Sequence, residues 1–203
     1  MHKRYLVAGY RLFFAALTFV AVITQFLNIH QRPNFSELNF FSFFTIESNI
    51  FAAAIFALTG LVLLVNKKDD KWVMLRGAAT LYMVITGIVY VLLLSGLEES
   101  LQTTLPWVNT VLHYLMPAVV LADWLVAPAN RHINFKKALV WLGFPVAYVI
   151  YSLIRGPVAN WYPYPFLNPT EHGYLSVGIT SAAIALFALG ITWLLTRVRL
   201  LPR

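Results

Sequence analysis

Two short polar runs stand inside otherwise apolar sequence, and their residue types could carry out acyl transfer. The run FSFFTIESNI, from Phe41 to Ile50, places Ser42, Thr45 and Asn49 at spacings of three and four, which brings them near one face of a helix. The run PWVNTVLHYLMP, from Pro106 to Pro117, places Asn109 and His113 four apart, again on one face. A hydroxyl becomes a nucleophile when a base within hydrogen-bond reach takes its proton, and a neutral imidazole is such a base. Thr45 and His113 are therefore a candidate nucleophile and base, with an Asn or Arg to stabilise an oxyanion or hold a carboxylate. Each has a plainer reading when taken alone. A helical threonine commonly bonds the carbonyl one turn back and glues helices together, and an intramembrane histidine is often a satisfied structural group.

Other polar residues are placed around this pair. Glu47 is two residues beyond Thr45 and points to the far side of the helix. Arg155 is the cation expected either to pair with Glu47 or to receive an anionic ligand. Asp123 reads as a salt-bridge partner of Arg76 or Lys137, and His30 lies in a loop that could approach the same mouth. A metal is the weaker option, because HExxH, paired ExxH and clustered His spacings are all missing. GxSxG, GxGxxG and P-loop patterns are missing too, so no cofactor is expected.

The elements that must position these groups follow from composition. Of 203 residues 60% are hydrophobic and 11% charged, and the mean hydropathy is +0.71, values that exclude a disordered chain and almost any water-soluble enzyme. Cysteine is absent, which removes disulfides and thiolate chemistry. Apolar stretches at 6–27, 39–65, 72–97, 106–127, 138–154 and 174–196 meet or approach the roughly 20 residues that span a bilayer core. The first reads as a retained span rather than a cleaved signal, and Gly143 and Pro145 interrupt the fifth. The expected architecture is all-α: one domain of six transmembrane helices.

Charge orients it. Lys3, Arg4, Lys67, Lys68, Lys71, Arg76, Arg131, Lys136, Lys137, Arg197, Arg199 and Arg203 fall on one side, and Arg32 and Arg155 with Glu37, Glu98, Glu99 and Glu171 on the other. The positive-inside rule makes both termini cytoplasmic in a multi-pass protein of the cell inner membrane. The net charge of +7 is then a topology signal, and nucleic acid is not an expected partner. Counted at the helical rise from the outer ends of their spans, Thr45 is roughly 9 Å and His113 about 10 Å deep, one common level. The outer segment 156–173, GPVANWYPYPFLNPTEHG, has four prolines and four aromatics. It reads as an ordered lid or an interfacial aromatic loop, with Tyr162 and Tyr164 as candidate supporting or substrate-binding residues.

The stretches FFTIESN (Phe43 to Asn49), HYLMP (His113 to Pro117) with Asp123 and Trp124, and RGPVANWYPYPFLNP (Arg155 to Pro169) carry a resemblance. The chain is similar to the androgen-induced-gene family of six-helix membrane proteins, which includes the androgen-dependent regulator of tissue factor pathway inhibitor, and especially to its prokaryotic branch. The likeness in hydropathy and order covers nearly the whole chain, and the specific motifs about 30 residues. Characterised animal members are described as threonine hydrolases that cleave fatty acid esters of hydroxy fatty acids. The resemblance implies Thr45 as nucleophile and His113 as catalytic histidine. Ile46, Glu47, Ser48 and the WYPYPF loop depart from the animal proteins and follow the prokaryotic pattern. Membrane lipids and a fatty-acyl substrate are the implied partners. The competing expectation is a transporter, channel or lipid-binding protein that uses the same polar cluster without chemistry, and the sequence carries no signal of oligomeric state.

Overall fold

The computed structural model describes residues 2–33, 35–65, 67–99, 101, 105–127 and 133–198, and every regular element among them is helical. Arg131, Arg199 and Arg203, used above to orient the chain, lie outside the described residues. Six helices are long and apolar enough to cross a membrane: Lys3–His30, Phe44–Leu64, Asp70–Leu94, Pro106–Val126, Phe135–Ala159 and Pro169–Arg197.

The first span is α1 (His2–His30). The second does not begin where hydropathy places it. A short helix, α2 (Glu37–Phe41), is capped by the Ser36 hydroxyl, which accepts the Asn39 N–H, and ends at Ser42. The long helix α3 (Phe44–Leu64) then starts afresh with no side-chain cap from Phe43. Its first N–H groups still need acceptors, and two tyrosines from distant segments supply them. The Tyr148 hydroxyl accepts from Phe44 N–H at 3.2 Å, and the Tyr164 hydroxyl accepts from Thr45 N–H at 3.2 Å. At the other end of α3, the Arg4 side chain donates to the Leu63 carbonyl, a cation at a helix C-terminus.

The third and fourth spans each contain one wider π turn. Helix α4 (Val73–Val89) continues as a π segment, Tyr90–Leu94, closed by Ser95 N–H donating to the Tyr90 carbonyl at 2.8 Å. The fourth span is α5 (Pro106–Thr110), a π segment Val111–Leu115, and α6 (Met116–Val126). The cause lies in Pro117. Proline has no N–H to give to the carbonyl four residues back, that of His113, so the ladder slips and Met116 N–H reaches Val111 instead. The fifth span begins with α7 (Phe135–Ala138) and a 3-10 turn, Leu139–Leu142, before α8 (Gly143–Ala159). Gly143 and Pro145 thus mark a change of helical pitch and not an interruption of the span. The sixth is α9 (Pro169–Arg197), kinked at Gly173, whose φ is 73°.

Helices α1, α3, α4 and the α5–α6 span pack closely on one another, while α8 and α9 lie against this group from outside. Large apolar side chains of α9, among them Leu175, Ile179 and Leu186, are exposed, as a lipid-facing helix requires. Close approach is bought with glycine at Gly77 on α4. A Cβ there would fall 2.1 Å from Cζ2 of the buried Trp141, whose ring meets Trp124 edge-on at 6.2 Å. Gly77→Ala is expected to lower stability by about 1–3 kcal/mol, the usual cost of overpacking, read as a lower thermal midpoint in detergent.

At the end of the bundle opposite Thr45, four charges are gathered. Asp123 accepts from Arg11 Nε at 2.8 Å and from Arg76 Nη2 at 2.6 Å, and Asp69 lies 2.7 Å from Arg11 and 3.2 Å from Arg76. Arg76 does pair with Asp123 as expected. The second partner is Arg11 of the first span and not Lys137.

Candidate functional site

Thr45 is the second residue of α3 and is buried. Its Oγ1 lies 3.4 Å from the Tyr164 hydroxyl, the same oxygen that accepts its N–H. Tyr164 reaches this point because the chain leaves α8 through Asn160 in the left-handed conformation, φ 47°, and folds back before a 3-10 turn, Pro165–Leu167. The ring stacks on Phe166 at 5.3 Å and meets Phe43 edge-on at 5.8 Å. The aromatic loop is thus ordered and inserts one tyrosine into the core beside Thr45.

Burial pushes the Tyr164 phenol up to about 12, with the charge of Glu47 adding to the effect. The sign follows from linkage: a group with a raised folded pKa stabilises the fold below its unfolded value, near 10, and that contribution is lost as pH climbs from about 10 towards 12. Tyr164→Phe is expected to flatten the loss of melting temperature across that window relative to wild type, and a pH series of thermal melts measures it.

His113 lies in the π segment of the fourth span and is buried. Its Nδ1 is 3.2 Å from the Asn109 carbonyl. A carbonyl only accepts, so Nδ1 carries the proton and Nε2 keeps its lone pair, the tautomer a general base needs. The ring stacks on Tyr90 at 3.9 Å and 21°, so the two π segments meet face to face. Tyr90 in turn donates to Glu98 Oε1 at 2.8 Å and accepts from Asn109 Nδ2 at 2.7 Å. The Glu98 backbone, the Tyr90 hydroxyl and the Gly96 N–H hold the Glu98 carboxyl below its ordinary range.

Thr45 and His113 line one small cavity of about 10 Å³, together with Gln25, Phe40, Phe43 and Tyr164. Among the described residues their side chains are not hydrogen-bonded to each other, and the Thr45 hydroxyl faces Tyr164. A second, apolar cavity of about 350 Å³ lies between α3, α4, α8 and α9, walled by Phe44, Ile85, Val89, Val149, Ala185 and others. Its size falls in the range of small-molecule sites. Thr45 and Tyr164 stand in the wall of both cavities. Among the described residues no three His, Cys, Asp or Glu side chains come together as metal ligands.

No protein-family model, no curated protein and no solved structure matches the chain.

The remaining candidates separate into supports and residues that lie elsewhere. Asn49 donates to the Thr45 carbonyl at 2.9 Å and to the Leu112 carbonyl at 3.1 Å, tying α3 to the helix that carries His113. Asn109 serves His113 through its carbonyl and Tyr90 through its side chain. Ser42 does not share the face of Thr45, because the chain changes helix between them. It donates to the Leu38 carbonyl at 2.5 Å and lies 2.8 Å from the Tyr151 hydroxyl. Arg155 does not pair with Glu47: it donates to Asn39 Oδ1 at 2.6 Å and lies over the Trp161 ring. Glu47 Oε2 is buried with no hydrogen-bond partner among the described residues. Tyr162 packs against Gly156, where a Cβ would fall 2.0 Å from its ring, and lines neither cavity. His30 stacks on Phe26 at 5.4 Å and also lines neither.

Two residues of the site were missed by the sequence reading. Tyr90 gives no signal, being one aromatic among many. Gln25 does: it is a lone amide inside the apolar run from Leu6 to Leu27, and a polar group in such a run requires a partner or a cavity.

Proposed function

We propose that this protein is an intramembrane hydrolase of lipid esters, with Thr45 as nucleophile and His113 as base, as its resemblance to the androgen-induced-gene family implies. The observation that carries the reading is the position of Thr45 between two unlike cavities, one small and shared with His113, the other large and apolar. An acyl chain in the apolar cavity brings its ester carbonyl to the Thr45 hydroxyl. With the Thr45 hydroxyl turned from Tyr164 into the cavity it shares with His113, His113 Nε2 takes its proton as Oγ1 attacks, and returns it to the leaving alcohol. The un-ionised Tyr164 hydroxyl, next to Oγ1, is the nearest donor for the developing oxyanion. The acyl-threonine is then hydrolysed. Fatty acid esters of hydroxy fatty acids are the substrate class the resemblance supplies, and the cell inner membrane, with this end of the bundle outward, is the location that the charge distribution favours.

The transport reading needs a polar route towards Asp123. The Asp123 carboxylate is instead already paired with two buried arginines. The test is labelling of the detergent-solubilised protein with a fluorophosphonate, followed by peptide mass analysis. Modification of Thr45 in wild type, lost in His113→Ala at unchanged thermal stability, supports the reading. A folded wild type that no acyl-transfer probe labels, but that retains lipid through purification, supports a lipid-binding protein in its place.

A further inference from the structure

The side chain of Gln25, on α1, is 1% exposed, and among the described residues neither its Nε2 nor its Oε1 has a hydrogen-bond partner. Buried polar atoms are rarely left so, and an orphaned amide points to a bound molecule. Gln25 lines the same cavity as Thr45 and His113. That cavity, at about 10 Å³, matches the roughly 10–15 Å³ that one water occupies and is too small for a substrate group. Its other walls, Phe40, Phe43, Ile46 and Leu101, are apolar. Among the described residues that line it, the polar side chains open to a water there are those of Gln25, Thr45, His113 and Tyr164.

We infer that Gln25 positions the hydrolytic water of the deacylation step. This rests on the proposed hydrolase reading and assigns the half of the reaction that Thr45 alone does not explain. Gln25 Oε1 accepts one O–H of the water, and His113 Nε2 accepts the other. The water oxygen bonds to the acyl carbon as its proton moves to Nε2. Collapse of the tetrahedral intermediate breaks the bond between the acyl carbon and Thr45 Oγ1, His113 returns the proton to Oγ1, and the carboxylic acid departs. The first half of the reaction, attack by Thr45, does not need Gln25.

The two halves separate kinetically. With p-nitrophenyl octanoate in detergent micelles, wild type is expected to release a stoichiometric burst of p-nitrophenolate and then turn over. Gln25→Met, close to the same shape and without the amide, is expected to keep the burst and lose roughly 100-fold in steady-state rate, the scale of losing one positioned polar group. Acyl-Thr45 should then accumulate and be recovered by mass analysis. The burst itself reports that the variant is folded, and Gln25→Leu repeats the test with a second shape. A Gln25→Met that turns over within twofold of wild type, or one whose burst and turnover fall together, overturns the role of Gln25 and leaves Thr45 standing. A folded wild type that neither releases p-nitrophenolate nor carries acyl-threonine overturns the hydrolase reading itself, and this role with it.

Discussion

Thr45→Ala is expected to reduce ester hydrolysis by roughly 10³-fold or more, since removing a nucleophile leaves only the binding and oxyanion contributions. His113→Ala is expected to do about the same, and the double variant no worse than either single one, because nucleophile and base act as a unit. Thr45→Ser keeps the hydroxyl and should retain most activity. The comparison is informative because the side chain has little structural work to do. The Thr45 N–H is bonded to Tyr164 whatever the side chain, and Asn49 holds the Thr45 carbonyl. Loss of Oγ1 removes one long contact of 3.4 Å, so stability should change by about 1 kcal/mol or less. Steady-state rates on a p-nitrophenyl acyl ester, set beside thermal melts of the same samples, check this. Equal rates in wild type and Thr45→Ala would remove the nucleophile.

Counting residues from the ends of the spans put Thr45 and His113 at one level, and the two do line one cavity, but the count rested on a wrong start for the second span. It took the second span as one helix, whereas the chain breaks at Ser42 and restarts at Phe44. Hydropathy averages over a window and cannot see that break. What fixes it is a pair of tyrosine hydroxyls, Tyr148 and Tyr164, about 104 and 119 residues away in the chain. The same break turns Ser42 from the face of Thr45, so spacing that holds within a helix failed across its start. Pro117 stands in plain view in the sequence, but the effect of its missing N–H shows only in the bonding around it, and the π segment that carries His113 is its consequence. The partner choices of charges were less legible. Long side chains reach any of several groups, so Arg155 took Asn39 rather than Glu47, and Arg11, unremarked inside an apolar run, took Asp123. An ionisable residue inside a span was itself the available clue.

That arginine underlies the largest expected effect on stability. Arg11 and Asp123 are 1% and 3% exposed, and with Arg76 and Asp69 they form a group of two positive and two negative charges joining α1, the turn before α4, α4 and α6. Arg11 bonds both carboxylate oxygens of Asp123, at 2.8 and 3.2 Å, and Arg76 adds a bond to the Ala127 carbonyl at 2.7 Å. Asp123→Ala leaves two buried guanidinium groups sharing Asp69 alone, and a buried charge stripped of its partner typically costs about 3–5 kcal/mol. The physical content is in the compensating variant. Removing Arg11 as well, as Arg11→Met with Asp123→Leu, deletes a whole pair and leaves Arg76 with Asp69, so the double variant should be more stable than Asp123→Ala and approach wild type. Because the group is buried, neither result should depend strongly on salt. Thr45 lies roughly 30 Å away by the helical rise along α3, so probe labelling of the folded fraction should be unchanged in both. Unfolding in detergent, followed with labelling in parallel, separates the outcomes: a loss of labelling without a loss of stability would mean that the charge cluster and Thr45 are coupled through α3, and the cluster would then belong to the function rather than to the scaffold.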